Sequence, residues 1–154
     1  MEYMDLIGAN NESLAELNGE GVVVCVVDSG VDLGHPDLRG IELRGWRDSI
    51  NGIEEPYDDE GHGTAMTGII VSDGGLDGVA KGVDLLVAKA IDDEGLGTDG
   101  TVSDSVDWCV EQGADIISLS LGGSQSFGSG FFATDELEQS VDDALDSGVY
   151  VVSS

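Results

Sequence analysis

The sequence predicts an α/β fold in which helices cover both faces of a parallel sheet. Short runs of aliphatic residues alternate along the chain with segments whose apolar residues recur at helical spacing. The first run, residues 22–27, is apolar at every position, as a strand buried on both faces requires. Strand–helix alternation implies crossover connections and parallel pairing. No internal repeat or linker divides the chain, so we expect a single domain.

Each further element has its own signal. Strands are predicted near residues 41–46, from 85 to about 91, at 116–121 and at 149–152. Helices are predicted from His62, after a cap at Thr101 with a stop at Gly113, and after Thr134 with a stop at Gly148. The helical spacing is carried by Met66, Ile69 and Ile70, then by Val102, Val106, Cys109 and Val110, and last by Leu137, Val141, Ala144 and Leu145.

Asp28 and His62 stand where a predicted strand and a predicted helix reach the rim of the sheet. Asp28 directly follows the first strand, and open parallel sheets bind ligands at the carboxyl ends of their strands. His62 lies in the first turn of the next helix. An aspartate that orients a histidine, which in turn deprotonates a nucleophile, is the acyl-transfer arrangement found on several folds. These two residues are therefore candidate catalytic groups, although an isolated aspartate after a strand is more often a turn residue.

Three segments resemble the signatures of the subtilisin-like serine proteases, or subtilases, in that family's order and at compatible spacing. They are residues 26–32 with His35-Pro36-Asp37-Leu38 after them, residues 59–64, and residues 116–123. The resemblance extends over nearly the whole chain. It implies a three-layer subtilisin-like fold, incomplete in this chain, and a serine endopeptidase activity. It also implies that Asp28 is the aspartate of the catalytic triad and that His62 is the general base.

The nucleophile of such a triad is missing from this sequence. Subtilases carry it in a Gly-Thr-Ser-Met motif, and the nearest match here, residues 63–66, has alanine at the serine position and belongs to the histidine signature. No serine lies in a Gly-x-Ser-x-Gly elbow. We expect residues 1–154 to be the N-terminal portion of a single subtilase catalytic domain, truncated before the oxyanion asparagine and the serine, and inactive alone. The alternative is a non-catalytic pseudoprotease, a peptide-binding module whose full chain lacks the serine.

A glycine-rich segment at residues 95–100 fits the pattern Gly-x-Gly-x-x-Gly, which also occurs in dinucleotide-binding folds. Acidic residues at 92–94 and 99 crowd the loop where a pyrophosphate would bind, which argues against a nucleotide. The family resemblance implies instead two edges between which the substrate peptide lies, and glycine allows the close backbone approach that this needs. The two edges are Gly95, Leu96 and Gly97 on one side and Ser120, Leu121 and Gly122 on the other.

The charge of the chain is extreme, since 32 acidic and 5 basic residues give a formal net charge of −27. Such a surface repels phosphate backbones and anionic lipids, so we expect neither nucleic acid nor a membrane as a partner. The carboxylates are spread between apolar runs, and hydrophobic residues make up 40% of the chain, which argues against disorder. High salt would screen the repulsion, so the composition points to a halophilic source.

The cysteines and the acidic loops give weaker signals. We expect Cys25 and Cys109 to be buried, unpaired hydrophobic residues in preference to a disulfide. Carboxylate-rich loops suit calcium, and the resemblance allows a calcium loop in the full-length protein. Residues 72–77 are short for that loop, and no segment has EF-hand spacing, so we predict no metal site and no cofactor. His35 precedes a proline and is expected to be a turn residue.

The start of the chain has no signal-peptide pattern, and no run approaches the ~20 apolar residues of a membrane span. The residues themselves therefore leave the cellular location unknown. The family resemblance implies a peptide or protein substrate and an extracellular location, and it allows for a propeptide in a full-length precursor.

Overall fold

The computed structural model describes residues 3–9, 16–121 and 135–153. Its helices are α1 (Tyr3–Leu6), α2 (His62–Val71), α3 (Asp99–Glu111) and α4 (Asp135–Asp146), with a short 3-10 turn at Pro36–Leu38. Its strands are β1 (Val23–Asp28), β2 (Leu43–Asp48), β3 (Asp84–Lys89), β4 (Ile116–Leu119) and β5 (Tyr150–Ser153).

The strands form a five-stranded sheet in the order β2-β3-β1-β4-β5, and every neighbouring pair is parallel. The apolar strand β1 lies at the centre, and its last residue, Asp28, is in register with Lys89 of β3. Because all the strands run the same way, their carboxyl ends share one edge of the sheet. The segments that follow β1, β3 and β4 meet at that edge, and the predicted parallel α/β fold is confirmed.

Different helices cover the two faces of the sheet. On one face, Cys25 and Val27 of β1 pack in a cluster with Val106 of α3 and Ala144 of α4. On the other face, Val26 packs in a second cluster that includes Val71 at the end of α2. Successive residues of a strand point to opposite faces, so the uninterrupted apolar run of β1 serves both clusters. The result is the three-layer arrangement of helices, sheet and helix that the sequence predicts.

Cys25 and Cys109 form a disulfide between β1 and α3, so the expectation of two unpaired cysteines is wrong. Both residues are fully buried, and their Cα atoms lie 5.9 Å apart where the helix packs on the sheet. That separation is within the range that a disulfide spans. The sequence predicts the burial of both residues, but their pairing depends on a helix–sheet contact between positions that are 84 residues apart.

Helix α3 begins earlier than its apolar spacing predicts. Thr98 is the N-cap, and Thr101 lies inside the first turn. The Thr98 hydroxyl accepts the Thr101 backbone N–H, and the Thr101 hydroxyl accepts the Thr98 backbone N–H, which makes a reciprocal capping box. The first turn is polar, so the apolar periodicity starts one turn late. The predicted ends of α3 and α4 are confirmed, since Gly113 and Gly148 follow these helices with positive φ.

The short helix α1 was not predicted from the sequence. Within the described part of the chain, no helix has both the length and the apolar character needed to cross a membrane.

Candidate active site

Asp28 and His62, called here the Asp–His pair, lie in contact at the carboxyl edge of the sheet. The Nδ1 atom of His62 is 2.9 Å and 3.0 Å from the two carboxylate oxygens of Asp28. The Asp28 side chain is buried at the end of β1, whereas the His62 side chain, at the start of α2, is 44% exposed. A carboxylate that accepts the Nδ1–H of an imidazole fixes its tautomer and leaves Nε2 as the nitrogen able to accept a proton.

The surroundings of His62 favour its protonated form. Its pKa is raised above the ordinary value of 6.5, chiefly by the hydrogen bond to Asp28. Partial burial opposes this shift, and the negative charges of Asp28, Glu60 and Asp58 reinforce it. The backbone N–H of Ser29 donates to Asp28 Oδ1 at 2.7 Å and holds the carboxylate in place. The arrangement can therefore take up a proton at His62 and stabilise the resulting cation.

Asp58 ties the turn after β1 to the first turn of α2. Its Oδ1 accepts the Ser29 hydroxyl and the Gly61 backbone N–H, and its Oδ2 accepts the backbone N–H and the hydroxyl of Thr64. Burial raises the pKa of this carboxyl, but the hydrogen bonds outweigh that effect and the net pKa is lowered. The sequence does not reveal this role, because Asp58 stands in an acidic loop where its charge is not distinctive.

Two glycines allow α2 to approach the end of β1. A Cβ added at Gly63 would lie 2.2 Å from the carbonyl oxygen of Gly30 and 2.8 Å from its nitrogen. A Cβ added at Gly30, where φ is +120°, would lie 2.0 Å from the carbonyl oxygen of Tyr57. Both positions therefore require glycine, and the close approach brings the helix that carries His62 against the turn that follows Asp28.

A cavity of about 180 Å³ opens at the Asp–His pair. The residues that line it are Asp28, Glu60, His62, Ile91, Gly95, Ser120 and Leu121. Leu96 and Gly97 are not among them, and the backbone N–H and C=O of Leu96 are both bonded to Asp92 within their own loop. Gly122 lies outside the described residues. Of the six predicted substrate-binding residues, the structure thus brings Gly95, Ser120 and Leu121 to the pair.

His35 has the structural place that its sequence context predicts. Its Nδ1 accepts the backbone N–H of Asp37 at 3.3 Å and caps the 3-10 turn. His35 also lines a larger cavity of about 710 Å³, but neither Asp28 nor His62 belongs to that lining. The larger cavity and the candidate catalytic groups are therefore separate.

The structure gives no support to a nucleotide at the glycine-rich segment. The Thr98 hydroxyl already accepts an N–H group at the start of α3, and Asp99 adds a negative charge to that turn.

In the loop after α2, the Lys81 ammonium bonds the carboxylates of Asp73 and Asp77. Across the described ranges, histidine, cysteine and carboxylate side chains do not gather in groups of three or more that could hold a metal ion.

Comparison with known proteins places the chain in a family. The profile of the Subtilase family matches residues 19–154. Serine protease AprX of Bacillus subtilis is 35% identical over 147 residues, which cover 88% of this chain and 33% of that protein. Thermitase of Thermoactinomyces vulgaris is 35% identical over 140 residues, which cover 88% of this chain and 47% of that protein. Subtilisin DY of Bacillus licheniformis is 32% identical over 152 residues, which cover 97% of this chain and 52% of that protein.

A solved structure described as a cold adapted subtilisin-like serine proteinase is similar in fold. It superposes with a TM-score of 0.73 at 30% sequence identity, covering 90% of this chain and 48% of that one. The chain therefore spans about a third to a half of the length of the relatives named here. Since the family profile matches most of the sequence and the fold agrees, the chain belongs to the subtilase family.

Proposed function

We propose that this chain is the part of a subtilisin-type serine endopeptidase that carries the aspartate and the histidine of its catalytic triad. The observation that supports this most directly is the 2.9 Å contact between His62 Nδ1 and the buried carboxylate of Asp28. In this proposal, residues 1–154 are the N-terminal portion of one catalytic domain. The oxyanion asparagine and the nucleophilic serine are then supplied by sequence beyond them, in keeping with the share of the relatives' length that the chain covers.

His62 would act as general base and then as general acid. Its Nε2 takes the proton of the serine hydroxyl as the serine oxygen attacks the peptide carbonyl, and then delivers that proton to the leaving amine. Asp28 accepts the Nδ1–H throughout, so the ring keeps the tautomer that exposes a basic Nε2. The buried carboxylate also stabilises the imidazolium that forms in the transition state, which agrees with the raised pKa of His62.

The substrate would be a peptide or protein segment bound in extended form between the two edges. Gly95 on one side and Ser120 and Leu121 on the other line the cavity at the Asp–His pair. The backbone N–H groups of Gly95 and Leu96 and the carbonyl of Leu96 are engaged inside their own loop, so main-chain pairing on that edge would fall to the Gly95 carbonyl and to Gly97. Gly122 would continue the opposite edge.

The roles are tested in the protein extended through the region that supplies the Gly-Thr-Ser-Met motif. His62→Ala should lower kcat by about 10⁶, the size known for subtilisin's own triad, and Asp28→Asn should lower it by about 10⁴. His35→Ala is the matched control and should leave kcat nearly unchanged, because that ring caps a turn. If His35→Ala abolished turnover while His62→Ala kept it, the assignment would be wrong. A downstream sequence without the serine would identify a pseudoprotease.

The 154-residue chain by itself is predicted to be inactive, because it contains neither the serine motif nor the oxyanion asparagine. Loss of that oxyanion donor alone costs about 10² to 10³ in turnover in subtilisin. A purified chain that reacts with a fluorophosphonate probe and cleaves casein would contradict this prediction.

We further infer a salt-adapted source and an oxidising location. Five basic residues cannot neutralise 32 carboxylates, and the ion pairs described here already engage four of the five. Screening by salt would reduce the repulsion of the carboxylates that remain unpaired by basic residues. The buried disulfide between Cys25 and Cys109 favours an oxidising compartment, which supports the extracellular location that the family resemblance implies.

A further inference from the structure

Lys89 ends β3 with its side chain completely buried. The ammonium nitrogen donates to the carbonyl oxygen of Ser29 at 2.7 Å, to that of Ile91 at 2.7 Å and to Asp59 Oδ1 at 2.6 Å. These bonds use all three N–H donors of the group. The ring of Tyr57 adds a cation–π contact with its centroid 5.0 Å from Nζ. Because a buried ammonium is strongly destabilised when it loses a partner, Lys89 holds the segments that contain Ser29, Asp59 and Ile91 together.

The three acceptors of Lys89 belong to segments that converge on the Asp–His pair. Ser29 follows β1, and its backbone N–H donates to the Asp28 carboxylate. Asp59 lies in the loop that leads into α2. Ile91 lies in the lining of the cavity at the pair. One ammonium group therefore joins the segment after β1, the segment before α2 and the segment after β3.

Ser29 links the Lys89 ammonium to the Asp28 carboxylate, and each polar group of Ser29 makes a hydrogen bond. Its N–H donates to Asp28 Oδ1, its carbonyl accepts Lys89 Nζ, and its hydroxyl donates to Asp58. The same hydroxyl accepts the backbone N–H of Gly63 in the first turn of α2. The Lys89 side chain is thus two hydrogen bonds away from the Asp28 carboxylate, through a residue that has little freedom to move.

We propose that Lys89 is a positioning residue that sets the distance between Asp28 and His62 by holding the turn after β1 and the loop before α2 on one ammonium group. Its benefit to catalysis rests on the proposed function of the pair, whereas the positioning itself is a property of the fold. Lys89 acts through Ser29 and Asp59, so it supports the general base without taking part in proton transfer.

The variant Lys89→Met tests this proposal. Loss of the lysine charge and loosening of the Asp–His pair would move the pKa of His62 in opposite directions. Methionine is close to lysine in length but carries no charge. Removing a nearby cation, with nothing else changed, would raise the pKa of His62. Loosening the pair weakens the hydrogen bond to Asp28, the main cause of the raised pKa, and lowers it. The charges of Asp28, Glu60 and Asp58 act on the ring in both forms.

We expect the His62 pKa in Lys89→Met to fall toward the ordinary histidine value, measured by NMR titration of the imidazole resonances. Lys81→Met is the matched control, because it also removes one lysine charge but from an exposed site bonded to Asp73 and Asp77. It should leave the His62 titration unchanged, and His35 serves as a reference ring in both variants. A His62 pKa that rises or stays constant in Lys89→Met would overturn the proposal.

Asp59→Asn provides a second variant should Lys89→Met fail to fold. It leaves the Lys89 ammonium and its bonds to two carbonyl oxygens in place, and it weakens only the bond from the ammonium to residue 59 in the loop before α2. We expect the Nδ1 proton of His62 to exchange faster with water, because its bond to Asp28 opens more often. An unchanged exchange rate would overturn the proposal. Neither measurement uses peptide hydrolysis, so the positioning role and the protease activity can fail separately.

Discussion

The disulfide between Cys25 and Cys109 should supply a large part of the folding free energy of this chain. It joins residues that are 84 positions apart, and the chain-entropy treatment gives about 4.5 kcal/mol at 25 °C for a loop of this length. A whole domain of ordinary stability has a free energy of unfolding of ~5–15 kcal/mol. We therefore expect reduction of this bond to lower the free energy of unfolding by about 3 to 4.5 kcal/mol.

Urea unfolding of three forms at one fixed salt concentration separates the cross-link from packing. The forms are the oxidised chain, the reduced chain and the variant Cys25→Ala/Cys109→Ala. The reduced chain keeps both sulfur atoms, so its difference from the oxidised chain measures the cross-link alone. Its difference from the alanine variant measures the packing of the buried sulfurs. Because both cysteines are fully buried, reduction is carried out on the unfolded chain and the reductant is kept during refolding.

The dependence on urea gives a second check. Reduction frees the denatured chain to expand, so the m-value should rise while the midpoint falls. A reduced chain whose free energy of unfolding lies within about 1 kcal/mol of the oxidised chain would refute the reasoning, since the entropy of this loop would then carry little weight.

Three further predictions follow from the charges and from close contacts. The thermal midpoint should climb as KCl rises to molar concentration, since salt screens the repulsion of a net charge of −27, and a flat or falling midpoint would defeat the halophilic interpretation. Glu60→Gln removes a charge that raises the His62 pKa, so the acidic limb of kcat/KM in the serine-bearing protein should move to lower pH. A limb that moves to higher pH contradicts this. Gly63→Ala places a Cβ 2.2 Å from the Gly30 carbonyl and should destabilise the chain by about 1 to 3 kcal/mol, as measured by urea unfolding. Gly68→Ala, in the same helix with open space around it, should instead stabilise by up to about 1 kcal/mol, and equal effects would argue against the contact.

The fold could be predicted from the sequence mainly because the central strands are buried on both faces. β1 and β3 therefore contain uninterrupted apolar runs, at residues 23–27 and 85–88. The edge strand β2 is only partly buried along most of its length, and its prediction near residues 41–46 is displaced by two residues from Leu43–Asp48. Asp28 and His62 could be predicted because each has a local signature, and their meeting follows from the shared edge of a parallel sheet.

The residues that sequence analysis missed depend on contacts between distant segments. The cysteine pairing needs the packing of α3 on β1, which no local pattern encodes. Lys89 falls inside the strand predicted from residue 85 to about 91, and a lysine in a strand ordinarily extends its ammonium into solvent. Its burial becomes visible only when the loop that carries Asp59 folds over it. Both interactions join single atoms of segments that are distant in the sequence, whereas periodicity reports only which face of an element is apolar.

The close contact between Gly30 and Gly63 also bears on how this fold can change in evolution. Between these two glycines the chain leaves the central strand, crosses to β2 at the edge of the sheet and returns. Both ends of that excursion are fastened by Asp58 and Lys89, so the separation of carboxylate and imidazole does not depend on its length. Each doubling of a flexible loop costs only about 0.6 kcal/mol. The connections on either side of β2 can therefore gain or lose residues while Asp58 and Lys89 keep the carboxylate and the imidazole in place.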